Sequence, residues 1–96
     1  MSNLLKAEKY CLLTFNTTSH ALKAEKVLKS MEAEFLVVPT LREISSSCGL
    51  SVKVSPENME KYYHNLVENK VPVEGVFKVE KEGKKNNITR IEDIGV

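Results

Sequence analysis

The apolar residues of this chain change their spacing as it runs from Lys9 to Val79, and the order of those changes restricts the fold more than any other feature. Tyr10, Cys11, Leu12, Leu13, Thr14 and Phe15 form a short continuous run of strand formers, the pattern of a central strand covered on at least one face. Asn16-Thr17-Thr18-Ser19 follows as a cluster able to cap a helix. From His20 to Met31, helical spacing puts Ala21, Ala24, Leu28 and Met31 on one face, Leu22 and Val27 at its flanks, and Lys23, Lys26 and Lys29 elsewhere. Phe35-Leu36-Val37-Val38 predicts a second strand, stopped by Pro39, which has no N–H to give to a sheet ladder. Leu50, Val52 and Val54 alternate with Ser51 and Lys53, as in a strand with one buried face. The sharpest boundary comes next: Ser55-Pro56-Glu57 supplies a capping serine, a proline at the first helical position and an acid in the first turn. The second helix should turn Met59, Tyr62 or Tyr63, Leu66 and Val67 inward and end near Asn69-Lys70. A fourth strand from Val73 to Val79, with Gly75 marking a bulge, closes the series.

Strand, helix, strand, strand, helix, strand is the order of the ferredoxin-like βαββαβ arrangement. It is an α+β two-layer sandwich with a four-stranded antiparallel sheet and two helices on one face. Right-handed crossovers put the first strand between the third and fourth, and the third between the first and second. The 96 residues are expected to form a single domain, with its core over 8–79 and a polar C-terminal extension over 80–96. The extension begins with the linker-like run from Glu80 to Asn87, flexible in composition. Its Ile88, Ile91 and Ile94 suit a short helical turn or strand against the domain or a neighbour. No internal repeat at solenoid periods is visible.

With 14 basic and 13 acidic side chains, the formal charge of +1 offers no broad attraction for nucleic acid or anionic lipid. Met1-Ser2-Asn3-Leu4-Leu5-Lys6 meets a charge too soon for a secretory signal, and no apolar run approaches the ~20 residues of a membrane span. A cytoplasmic protein is the expectation. In that compartment Cys11 and Cys48 stay reduced, without a structural disulfide. Two cysteines and two histidines, widely separated and without a Cys-x-x-Cys pair, lack zinc spacing, so neither metal nor cofactor is implied.

The chemistry concentrates at Ile44-Ser45-Ser46-Ser47-Cys48-Gly49, an uncharged run in the turn between the second and third strands. In the expected topology this turn shares one end of the sheet with Thr18, Ser19 and His20 at the start of the first helix. Unpaired amide donors and partial positive charge there favour a thiolate over a thiol and suit a bound anion. His20 and Arg42 add further positive charge or hydrogen bonds, and Ser46, Ser47 and Gly49 complete the candidate substrate or anion site around Cys48. Each residue also has a plainer reading. A free cysteine is commonly a small buried hydrophobe. The serines suit ordinary turn bonding, and Arg42-Glu43 suits a solvated pair contributing at most about 1 kcal/mol. His20 and His64 read as ordinary surface or helix-end residues, and Cys11 reads as core. Tyr62-Tyr63 reads as one core ring and one rim ring, not a base-stacking platform.

The segments Leu12-Leu13-Thr14-Phe15, Ala21-Leu22-Lys23-Ala24-Glu25-Lys26, Val38-Pro39-Thr40-Leu41-Arg42-Glu43 and Ser45-Ser46-Ser47-Cys48-Gly49-Leu50 together resemble a small bacterial family of selenium/sulfur carrier-like proteins. The resemblance covers about residues 9–79, and its most specific part is Pro-Thr-x-Arg-Glu followed by Ser-Ser-Cys-Gly. It implies that Cys48 holds sulfur or selenium as a persulfide or selenosulfide, taken from a donor protein and passed to an acceptor. It favours a carrier or binding protein over a stand-alone enzyme, since no resolving thiol lies near Cys48 in the sequence. The alternative is a non-catalytic module binding a small molecule or anion through Arg42 and the serine turn, with Cys48 only packing. A regulatory or structural role through an exposed sheet face, including a homodimer, stays open.

Overall fold

The structure is a computed structural model that describes residues 7–44 and 48–92. Ser45, Ser46, Ser47 and Ile94 lie outside the described residues. The elements run β1 (Lys9–Thr14), α1 (Thr18–Ser30), β2 (Leu36–Pro39), β3 (Leu50–Val54), α2 (Pro56–Glu68), β4 (Gly75–Glu82) and β5 (Lys85–Ile91). The strands form one five-stranded sheet in the order β2-β3-β1-β4-β5, with every neighbouring pair antiparallel. The fold class is α+β, and the four strands read from the sequence hold their expected neighbours.

The expected four-stranded sheet is corrected by β5. Residues read as linker instead continue β4 to Glu82 and return as β5, with Glu82 opposite Lys85 and Val76 opposite Ile91. A two-residue turn, Gly83-Lys84, joins them, and Gly83 at φ +61° provides the left-handed backbone that such a hairpin needs at its first central position. Gly75 marks no bulge, because the β1–β4 register runs unbroken from Lys9↔Glu80 to Thr14↔Gly75. It meets a steric demand: a Cβ there would lie 3.0 Å from Phe77 Cε1 and 3.3 Å from Thr14 Oγ1.

Both helices cover one face of the sheet. Cys11, Leu13 and Phe15 of the β1 region and Val52 and Val54 of β3 pack there with Ala21, Ala24 and Leu28 of α1 and Met59, Tyr62 and Leu66 of α2. Thr17 caps α1, its Oγ1 accepting the His20 N–H at 3.2 Å. At α2 the serine does not act as expected: Ser55 makes no side-chain cap, and Asn58 Nδ2 donates to its Oγ at 3.4 Å. Val67, expected inward, is 49% exposed, because Leu66 already fills the inward position. The pair Tyr62-Tyr63 divides into a buried ring, whose hydroxyl accepts the Glu34 N–H at 3.1 Å, and a half-buried one.

The opposite face carries a second, smaller cluster of Tyr10, Leu12, Ile44 and Val79, with Leu41, Val38, Phe77 and Ile88 against it. Its cover comes from the connection between β2 and β3, which brings Leu41 and Ile44 over the sheet in place of a helix.

Candidate functional site

Thr40 pins the connection at its base. Its N–H donates to the Gly49 carbonyl at 2.9 Å and its hydroxyl donates to the Cys48 carbonyl at 3.1 Å. The same hydroxyl lies 2.7 Å from the Oγ of Ser51, a fully buried residue, so Ser51 can donate to Thr40 while Thr40 donates to Cys48. These bonds extend the β2–β3 ladder one step past Pro39↔Leu50 and fix the backbone of Cys48 against the end of the sheet.

The Cys48 side chain turns into the helix-side core, where the residue is 2% exposed. Its Sγ accepts the Leu50 N–H at 3.4 Å and stands 3.9 Å from the Oγ1 of Thr18, the first residue of α1. The sulfur thus meets an amide donor and a hydroxyl that can face it as donor or acceptor, at the helix end that bears partial positive charge. It is also closed off from solvent, as the plainer reading of a packed cysteine has it.

The other residues named from the sequence are dispersed around this point. Thr18 and Ser19 are exposed on the first turn of α1. His20 is half-buried, and its Nδ1 is shielded from solvent and without a hydrogen-bond partner among the described residues. Gly49 is exposed, and a Cβ on it would meet nothing within 4 Å. Arg42 is exposed at the rim of a recess on the helix-free face, whereas the Cys48 side chain packs in the helix-side cluster. Ser46 and Ser47 lie outside the described residues.

Cys11 offers a control in the same cluster. It is 1% exposed, and burial pushes its thiol up to about 11, with the Lys78 charge opposing only in part. Neither cysteine is in a disulfide. Cys11 lies opposite Val54 at the far end of β3 from Cys48, and at ~3.3 Å per residue that strand alone separates them by more than about 10 Å, beyond disulfide reach.

Sequence reasoning missed Thr40, Tyr10 and Lys53. Lys53 sits on the helix-free face with its Nζ 4.1 Å from the Tyr10 ring centroid. Burial lowers its ammonium from the usual lysine range, and the nearby Lys81 charge adds to the effect. Burial also raises the Tyr10 hydroxyl, with a further contribution from the Glu43 carboxylate. The signal was present in the continuous apolar run of β1. A strand apolar at successive positions needs cover on both faces, and the helices supply it on only one.

Among the described residues, no group of three or more His, Cys, Asp or Glu side chains is placed to hold a metal ion. No described helix is long and apolar enough to cross a membrane. An α+β sheet protein with a cysteine held between a strand start and a helix start is the class these features define. Residues 10–78 match the family described as "Putative Se/S carrier protein-like", and the chain belongs to that family. No curated protein and no solved structure matches it.

Proposed function

We propose that this chain is a cytoplasmic carrier of sulfur or selenium, with Cys48 as the atom-bearing residue. Family membership supports the general role, and the observation that carries the choice of residue is the Leu50 N–H directed at the Cys48 sulfur beside Thr18. Cys11 is disfavoured, because a thiol raised to about 11 is almost wholly protonated at neutral pH.

In the loading step the Cys48 thiolate attacks the outer sulfur of a donor persulfide, R–S–SH. The donor S–S bond breaks, R–S⁻ leaves, and Cys48–S–SH forms and loses its proton to the medium. In unloading, a nucleophile on the acceptor attacks that outer sulfur, the new S–S bond breaks, and Cys48 departs as a thiolate. The cysteine returns to its starting state with no external oxidant or reductant. A selenosulfide follows the same steps with selenium as the outer atom. The Leu50 amide stabilises the charge left on sulfur in unloading, and the Thr18 hydroxyl can rotate to donate as the charge develops. With Cys48 2% exposed, a partner reaches the sulfur only after the residues packed around it part, so local opening precedes transfer.

The test is site-resolved mass measurement after incubation with glutathione persulfide, alongside iodoacetamide labelling across pH. One added sulfur on Cys48 and none on Cys11, abolished in Cys48→Ser, is the expected result. Equal sluggishness of the two thiols, with no added sulfur on either, would remove this function.

A further inference from the structure

The helix-free face holds a recess of about 460 Å³, within the range of small-molecule sites. Tyr10, Leu12 and Lys53 form its floor, Val38 and Leu41 its apolar walls, and Arg42 and Glu43 part of its rim. We propose that this recess binds a small amphipathic anion, an apolar body with one negatively charged head, seated on Tyr10 and Leu12 with the head between the Lys53 ammonium and the Arg42 guanidinium. No residue of the Cys48 environment described above supplies its charge, and it stands whether or not Cys48 carries cargo.

The charges argue for an anion. The ion pairs among the described residues are Lys29–Glu25 and Lys78–Glu80, which leave both Lys53 and Arg42 without a carboxylate at ion-pair distance. Lys53 is half-buried, so its charge has given up part of its water in return for the face of a phenol ring 4.1 Å away. Glu43 is the only acid among the lining residues, and its Oε2 accepts from Asn86 Nδ2 at 3.4 Å on the β5 side. Two cations against one acid leave the lining with net positive charge, and burial, with the Lys81 charge adding to it, lowers the proton affinity of Lys53, as expected of an ammonium that has lost water without gaining a carboxylate.

The shape argues for an apolar body. Tyr10, Leu12, Val38 and Leu41 present hydrocarbon toward the recess, and Thr40, the polar wall residue, has its hydroxyl committed to Cys48 and Ser51. A bare inorganic anion would meet the two cations and leave those apolar walls uncovered. An uncharged apolar ligand would bury the Lys53 ammonium without a counter-charge, which is costly.

Titration of the full ¹⁵N-labelled chain with indole-3-acetate, followed by amide chemical shifts, tests the site. Saturable shifts at Tyr10, Leu12, Val38, Leu41 and Lys53 are expected, with binding weaker by about tenfold for the uncharged indole-3-acetamide and in Lys53→Met, the scale of one charge-assisted hydrogen bond. Arg42→Gln, a change at an exposed residue, should weaken binding by a smaller factor and keeps the test decisive if Lys53→Met fails to fold. Absence of shifts at those amides, equal binding of the amide, or shifts that follow protein concentration and so report a second copy on this face would each overturn the proposal.

Discussion

On the helix-covered face Leu13, Phe15, Leu28, Val52, Val54 and Leu66 are all at 0% exposure, held between a sheet and two helices. Across the same sheet Tyr10, Leu12 and Val79 are buried in a smaller cluster that Ile44 of the connection completes, beside a recess large enough for a ligand. The first face has the continuity of a packed core, where every apolar atom removed leaves a void. The second is apolar but incompletely filled, and a lysine and an arginine face into it. Stability is therefore concentrated on one side of the sheet and chemical variety on the other. Cys48 lies where the two meet: its side chain belongs to the helix-side core, and its carbonyl is held by Thr40, a wall of the opposite recess.

That contrast can be broken by measurement. Leu66→Ala should lower the stability of the fold by about 3 kcal/mol, read from urea unfolding, because a fully buried leucine between helix and sheet leaves a cavity that rigid neighbours cannot close. A loss well under 1 kcal/mol would mean that the helix face is not the tight side.

A second measurement concerns Cys11. The folded protein holds its thiol protonated up to about 11, whereas the unfolded chain releases the proton near the ordinary thiol value of 9.0. The unfolded state thus binds fewer protons across that window, and stability falls as pH rises. The wild type should lose up to about 2 kcal/mol relative to Cys11→Ala between those two pH values, as the difference in pH dependence of their unfolding free energies. Parallel pH profiles would mean that solvent reaches this part of the core.

The smallest effect is expected on the other side. Leu41→Ala should cost less than about 1 kcal/mol in the same unfolding experiment, since this half-buried side chain borders open space and loses few contacts on truncation. A cost equal to that of Leu66→Ala would erase the distinction between the faces.

The core elements could be read from the chain because their spacing is a direct consequence of geometry. Leu50, Val52 and Val54 alternate because successive strand residues point to opposite faces, and Ala21, Ala24 and Leu28 recur because a helix returns to the same side every three to four residues. The strand β5 was legible only in part, since the spacing of Ile88 and Ile91 suited a helical turn as well as a strand and the residues before them read as linker. In Lys85-Asn86-Asn87-Ile88-Thr89-Arg90-Ile91 the polar residues outnumber the apolar ones, as suits an edge strand that must avoid pairing with strangers. Its isoleucines acquire meaning only through their partners, Ile88 opposite Val79 on one face and Ile91 opposite Val76 on the other. The candidate site was legible in part. The approach of Cys48 to Thr18 followed from strand order, but the burial of the thiol did not, because a turn written in serine, cysteine and glycine carries no periodicity to say which way a side chain points.

By itself, then, the sequence determined the alternation of strands and helices, the neighbours of the first four strands and the end of the sheet at which Cys48 lies. These depend on residue spacing and on the handedness of crossovers, which are local or nearly so. Only the tertiary structure decided that β5 extends the sheet, that Arg42 and Cys48 are directed to opposite faces, and that Lys53 rests on Tyr10 in a recess under the β2–β3 connection. Those outcomes depend on which surfaces meet after the chain has closed on itself, a choice made by packing between residues far apart in sequence.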